Sequence, residues 1–319
     1  MACEHPKKIV NRRYKDMTRK EIRDYSREIY GTIWPPDYDL EVPCGYCHSC
    51  QKSVNNQYRI RLLYECRRPL PPGRINLFVT LTFNDDYLEK FADDPNRAVR
   101  LFLDRMRKRY GKQVRHWFIG EYGTLNGRPH YHGILFCVPS EIANSPYGPH
   151  IGQNLELESV WQYGFIYCGY VCDETCSYIT KYLTKSLNGD KVRPRVISSL
   201  GIGDNYLSTD EAKMHKMFDL EYQPFMLLNG FKQAMPRYYY NKIFSKVDYQ
   251  NIVLDRYLNP PDEFHLGPLS FKDRNSFVSA RRALRSTNVM QGLTPSVAPP
   301  TRKRKARKSI LTEIENKEF

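Results

Sequence analysis

Arg128-Pro129-His130-Tyr131-His132-Gly133 constrains the fold of this chain more than any other stretch. The run continues as Ile134-Leu135-Phe136-Cys137-Val138, rich in β-branched and aromatic residues, and reads as a β-strand. Side chains at i and i+2 leave a strand on the same face. His130 and His132 therefore project together, at a spacing that suits one metal ion. Upstream, Val114-Arg115-His116-Trp117-Phe118-Ile119-Gly120-Glu121-Tyr122 reads as a second strand, and Asn126-Gly127 between the two is a hairpin signal. A turn centred there sets Glu121 directly across from His132, on the same face. The expectation is that Glu121, His130 and His132 converge on one point. Pro129 cannot donate to the ladder, so the loop is expected to be wider than two residues, with the register kept.

A second stretch, Tyr178-Ile179-Thr180-Lys181-Tyr182-Leu183-Thr184-Lys185, is a tandem repeat of Tyr-x-Thr-Lys. It follows Asp173-Glu174, acids that suit the first turn of a helix. On one helix Tyr178 and Tyr182 are i and i+4 and share a face, bordered by Lys181 and Lys185. Two phenols and two ammonium groups in a row suit attack on phosphate. Each feature alone has a plainer reading, as core histidines or as packing tyrosines, and the chain has 24 tyrosines to make chance pairs. Their conjunction carries the argument.

Charge narrows the partner. With 49 Lys and Arg against 35 Asp and Glu, the net charge is +14 and the pI about 9.3, which favours nucleic acid over membrane. No apolar run approaches the roughly 20 residues of a membrane span, and the N-terminus has no apolar signal segment. The nine cysteines are odd in number and partly spaced as Cys-x-x-Cys, which favours reduced thiols or a metal in a cytosolic setting. Cys44, Cys47 and Cys50 have the spacing of thiolate ligands in a tight loop, and zinc takes four. Cys3, His5, His48 and Cys66 are candidates for the fourth, Cys3 first among them. Three reduced cysteines in a turn is the alternative.

Three segments are expected. Residues 1–69 form a Cys-rich segment, irregular to about 40 with a break at Trp34-Pro35-Pro36, then a helix over 51–66. Residues 70–245 open at Leu70-Pro71-Pro72-Gly73. They hold a strand over Leu77–Phe83, a helix from Asp94-Pro95 to Tyr110 ended by Gly111, the 114–138 hairpin, a helix over Leu155–Trp161, a strand over Gly164–Val171 and the tyrosine helix. This order predicts an α+β fold with a mainly antiparallel sheet. Cys168, Cys172 and Cys176 read as core or helix-start residues. Gly201-Ile202-Gly203 reads as a loop able to approach DNA backbone. Arg237-Tyr238-Tyr239-Tyr240-Asn241-Lys242 reads either as a single-strand-binding stretch or as a core strand. Residues 246–319 form an extension with a helix near 271–286. It ends in the basic tail Arg302, Lys303, Arg304, Lys305, Arg307 and Lys308, expected to be disordered and to bind phosphates. Arg128 and Arg237 are further candidate DNA contacts.

His130-Tyr131-His132 followed by a Tyr-x-x-Lys-Tyr helix resembles the HUH endonucleases, in the dual-tyrosine form of rolling-circle initiators of small single-stranded DNA phages. Pro43-Cys44-Gly45-Tyr46-Cys47-His48-Ser49-Cys50, Gly120-Glu121-Tyr122-Gly123, Gly201-Ile202-Gly203 and Pro236-Arg237-Tyr238-Tyr239 extend the resemblance, to about residue 245, toward the replication initiators of gokushovirus-type Microviridae. Tyr131 departs from the aliphatic residue more usual between the two histidines. The resemblance implies a ferredoxin-like HUH sheet with the histidine strand central, and Mg2+ or Mn2+ as cofactor. It also implies a 5′-phosphotyrosine intermediate at an origin in single-stranded and replicative-form DNA, and rejoining of the displaced strand by the second tyrosine. Host polymerase and helicase would be partners, in the cytoplasm of a bacterial host. No Gly-x-x-x-x-Gly-Lys-[Ser/Thr] loop is present. A non-catalytic, zinc-stabilised DNA-binding protein is the alternative from another class. An HUH transposase or relaxase is a third reading, against which the tandem tyrosines and their place after the histidines both count.

Overall fold

Alternation along Leu77–Phe83 demands a strand with two unlike faces, and the tertiary structure uses both. The computed structural model describes residues 3, 5–45, 47–123, 127–143, 151–185, 196–216, 223–258, 263–266, 269–273, 276–280 and 283. In chain order these form β1 (Lys7–Val10), α1 (Arg19–Tyr30), β2 (Asp39–Val42), α2 (His48–Cys66), β3 (Arg74–Thr82), α3 (Asp85–Lys90), α4 (Pro95–Tyr110), β4 (Arg115–Tyr122) and β5 (Pro129–Pro139). Next come β6 (Ile151–Gln153), α5 (Leu155–Trp161), β7 (Ile166–Tyr170), α6 (Asp173–Thr180), α7 (Tyr182–Lys185), β8 (Val196–Ser198) and α8 (Asp210–Met214). The last elements are β9 (Phe225–Leu228), β10 (Phe231–Ala234), α9 (Arg237–Ile243), α10 (Lys246–Leu258), β11 (Phe264–Leu266) and β12 (Leu269–Phe271).

Six strands make one sheet in the order β6-β7-β3-β5-β4-β8, and every pairing in it is antiparallel. The α+β architecture with a mainly antiparallel sheet is the one expected, and the histidine strand β5 lies inside the sheet between β3 and β4. One face sends Val79, Leu81, Phe118, Tyr131 and Leu135 into a core with Phe102 and Met106 of α4 and Trp161 of α5. The other face sends Trp117, Ile119, Ile134 and Phe136 into a core with Ile60, Leu62 and Leu63 of α2 and Cys176 and Ile179 of α6. Each such buried large side chain contributes about 1.5–3 kcal/mol. Helices thus cover both faces, and the one carrying His130 and His132 is covered by α2, α6 and α7.

Local chemistry explains the boundaries. Thr18 and Glu21 form a capping box at α1. Pro95 opens α4 and Gly111 closes it, as expected. Gly133, next to the histidine pair, must lack a side chain, because a Cβ there would overlap the ring of Phe118 on the neighbouring strand.

Several expectations need correction. Residues 1–40 are not irregular: they contain α1 and the strand β1, which pairs with β2. Arg237–Lys242 is helical, within α9, because Tyr239 is drawn wholly into the core, where its hydroxyl donates to the Gly203 carbonyl at 2.8 Å. Gly201-Ile202-Gly203 is not a loop presented outward. Ile202 is buried, and the Gly203 N–H donates to Glu65 of α2 at 2.6 Å, which makes the loop a packing element. In the expected helix near 271–286, residues 276–280 are helical. The basic tail at 302–308 and Asn126 of the hairpin turn lie outside the described residues. Among the described residues, no helix is long and apolar enough to cross a membrane.

Candidate active site and thiol cluster

The histidine pair sits where three strands meet. β5 pairs with β3 so that Thr80 faces His132 and Thr82 faces His130. On the other side β4 pairs with β5 so that Glu121 faces His130 and Ile119 faces His132. The expected register is therefore wrong by two residues: Glu121 is diagonal to His132. The turn closes nearer to β4 than Asn126-Gly127 implies, with Gly123 N–H donating to the Arg128 carbonyl at 2.9 Å. A slip of two preserves the face, because strand side chains alternate with period two, so the carboxylate still reaches its target. The loop is wider than two residues, as Pro129 required.

Glu121 Oε2 lies 3.2 Å from His132 Nε2, and Thr80 Oγ1 lies 3.1 Å from His132 Nδ1. His130 Nδ1 donates to the Arg128 carbonyl at 2.8 Å, which leaves its Nε2 as a lone-pair donor. Glu121 and His132 are thus in contact, while the His130 ring is turned to its own strand. An imidazole oriented by a backbone carbonyl, a second imidazole braced by a hydroxyl and a carboxylate, all on one sheet face, fit a divalent cation.

The tyrosines close over this face. His132 stacks on Tyr182 with ring centroids 4.4 Å apart and planes 7° apart, and Tyr178 meets His132 edge-on at 6.0 Å. Tyr182 donates its hydroxyl proton to the Tyr178 hydroxyl at 2.6 Å. Tyr178 is 40% exposed and Tyr182 only 5%. Burial, the hydrogen bond to Tyr178 and the charge of Glu121 hold the Tyr182 phenol well above its ordinary range. Lys181 Nζ lies 3.9 Å from the Tyr178 ring centroid and 5.3 Å from that of Tyr182. The expected single helix is broken at Lys181, between α6 and α7. Thr180 Oγ1 donates back to the Cys176 carbonyl at 2.8 Å, the kind of bond that bends helices. Lys185 belongs to α7, and its side chain lies outside the described residues.

Two features of the site were not read from the sequence. Thr80 braces His132 from β3, a strand whose register with β5 no short turn dictates. Cys66, at the end of α2, lies Sγ to Sγ 3.6 Å from Cys176 of α6, so α2 carries the helix that presents the tyrosines. Of the candidate DNA contacts, Arg128 is engaged with Asp85 at 2.8 Å and the Phe83 carbonyl at 3.0 Å, whereas Arg237 is exposed.

The thiols form the second cluster. Cys3, Cys44, Cys47 and Cys50 are all buried, with their sulfurs within 4.8 Å of one another. Cys44 to Cys50 and Cys47 to Cys3 are both 3.8 Å. Sulfurs about 2.3 Å from a tetrahedral centre lie about 3.8 Å apart, so the group fits a metal such as zinc. The Cys44 and Cys47 N–H groups donate to the sulfurs of Cys3 and Cys44, at 3.3 and 3.4 Å, which suits thiolates. Burial pushes the Cys50 thiol up to about 11, so it ionises only with a cation at hand. Cys3 is the fourth member, as expected first, and Cys66 belongs instead with Cys176.

Residues 76–187 match the model of the replication-associated protein family named for ORF2. The chain is 23% identical over 224 residues to Replication-associated protein ORF4 of Chlamydia phage 1, covering 63% of this chain and 53% of that one. It is 25% identical over 242 residues to Replication-associated protein ORF2 of Spiroplasma virus 4, covering 68% and 72%. It is 28% identical over 181 residues to Replication-associated protein A of Enterobacteria phage phiX174, covering 52% and 32%. The match thus spans about half the length of the Chlamydia phage relative and a third of the phiX174 one. No solved structure matches. The matching stretch runs from β3 to α7 and contains Glu121, His130, His132, Tyr178 and Tyr182, so the part of this chain that carries the candidate active site is a relative of the replication-associated proteins of Microviridae phages.

Proposed function

We propose that this protein initiates rolling-circle replication of a small circular single-stranded DNA phage genome by nicking its origin. The observation that carries this reading is the pair of tyrosine hydroxyls 2.6 Å apart, held against His132 on a face that also presents Glu121. Tyr178, the exposed member, attacks the scissile phosphorus first. A tyrosine oxygen–phosphorus bond forms and the bond to the 3′-oxygen breaks; the phenol gives up its proton and the departing 3′-oxygen gains one. The 5′ end stays on the protein and the free 3′-hydroxyl primes a host polymerase, with a host helicase opening the duplex. Energy is conserved in the phosphotyrosine, so Tyr182 can later take over the regenerated origin and the displaced strand can be rejoined. Lys181, within reach of both rings, offsets the negative charge that builds on phosphate and phenolate. A Mg2+ or Mn2+ ion held by Glu121, His130 and His132 supplies Lewis-acid polarisation of the scissile phosphate. Thr80 and the Arg128 carbonyl orient the two imidazoles, and the Cys3–Cys44–Cys47–Cys50 quartet holds zinc in a structural role. The setting is the cytoplasm of the bacterial host, with single-stranded and replicative-form DNA as substrates.

Incubating the protein with labelled single-stranded origin DNA and Mn2+, then running a denaturing gel, tests this. A covalent adduct is expected for the parent, and a reduced one for each of Tyr178→Phe and Tyr182→Phe. None is expected for the double variant, and each single variant should fail at recircularisation. Absence of any adduct, with DNA binding intact, would favour a non-catalytic zinc-stabilised DNA-binding protein.

A further inference from the structure

Outside the stretch that matches known families, the N-terminal residues build a cleft of about 560 Å3, within the range of ligand sites. Its walls come from α1, the end of β1 and the turn at 34–38. Three aromatic rings form one side. Trp34 and Tyr38 lie 4.8 Å apart between centroids, and Tyr38 stacks on Tyr14 at 5.7 Å and 26°. Lys15, Arg19 and Arg23 line the same cleft.

The aromatic wall is preorganised. Tyr14 donates its hydroxyl proton to Asp37 at 2.5 Å, and Asn11 donates its amide to the other oxygen of that carboxylate at 3.0 Å. Pro35 and Pro36 follow Trp34, and Tyr38 N–H donates to the Pro35 carbonyl at 3.1 Å. Arg13 ties the unit to α10 by donating to the Gln250 carbonyl at 3.2 Å. Trp34 nonetheless stays 39% exposed, an indole held in place without being buried.

Charge is segregated on α1. At about 100° per residue, Arg19, Ile22 and Arg23 fall on one side, and that side lines the cleft. Glu21, Asp24 and Glu28 fall on the opposite side, away from it. The carboxylate beside the cleft, Asp37, is buried and committed to Tyr14 and Asn11. A solvated helix needs no such sorting. Cations bordering a rigid aromatic wall match a flexible polyanion that carries planar rings.

We infer that this cleft binds single-stranded DNA, with a base stacked on Trp34 and backbone phosphates on Lys15, Arg19 and Arg23. It is a contact separate from the sheet-face site and does not depend on the chemistry proposed there. It gives the chain a second hold on the strand.

The tryptophans supply the test. The chain has three, and Trp117 and Trp161 are wholly buried, so a quencher in solution reaches Trp34. The full chain carrying Tyr178→Phe,Tyr182→Phe, which removes the proposed chemistry, is titrated with a short oligothymidylate. Tryptophan emission should be quenched, and Trp34→Phe should abolish the quench while keeping affinity for a fluorescein-labelled oligomer. Trp34→Ala should weaken that affinity roughly tenfold. Arg19→Gln,Arg23→Gln should weaken it and flatten its salt dependence. Unchanged emission, unchanged affinity in Trp34→Ala, or equal quenching by free thymidine monophosphate would overturn the inference. The quench is read without nicking, so failure of the nicking reading leaves it standing.

Discussion

The thiol quartet and the histidine face are both sets of metal-ligand side chains, and they are built in opposite ways. The quartet is closed: four buried sulfurs at tetrahedral spacing, gathered from a loop, the first turns of α2 and Cys3. No ligand position remains for a substrate, which is the arrangement of a structural site. The histidine face is open. Its ligand candidates stand on rigid strands, are oriented by Thr80 and the Arg128 carbonyl, and look toward a tyrosine that is partly in solvent. The difference teaches where each group's energy goes, into holding the chain in one case and into positioning reactive atoms in the other.

The largest expected effect comes from opening the closed group. Cys47→Ser should release the metal and unfold the N-terminal segment, since a structural zinc contributes on the order of 10 kcal/mol to folding. Elemental analysis and a thermal melt check this, and a parent protein purified without any metal would refute the structural role. Because α2 runs from the quartet to Cys66, which touches Cys176 of the tyrosine helix, adduct formation should fall as well. An undiminished adduct would show that the two regions are independent.

His132→Ala should sharpen the contrast from the other side. Cleavage should drop by roughly a thousandfold, while oligonucleotide binding and the metal content of the thiol group stay as in the parent. Equal loss of binding and cleavage would mean that the histidine serves the core. The smallest effect is expected from Thr80→Val, which keeps the β-branched shape in β3 but removes the brace on His132. Cleavage should slow roughly tenfold and require more Mn2+ for half its maximal rate, with the melt unchanged. An unaltered cation requirement would show that Thr80 does not orient the imidazole.

Much of the candidate site was legible in the chain itself. Period-two alternation dictated which side chains share a sheet face, so His130, His132 and Glu121 were placed together even with the register wrong by two residues. The spacing of Cys44, Cys47 and Cys50 foretold a cluster, and the repeat at Tyr178 and Tyr182 foretold paired phenols. Such patterns are local, and backbone geometry enforces them over a few residues. The tertiary structure alone decided the rest: that Cys3 completes the quartet, that Thr80 meets His132, that the tyrosine helix breaks at Lys181, that Arg237–Lys242 is helical, and that Trp34, Tyr38 and Tyr14 stand as a wall beside two arginines. Each of those depends on segments far apart in sequence being packed against one another, where burial and long-range hydrogen bonds outweigh local propensity.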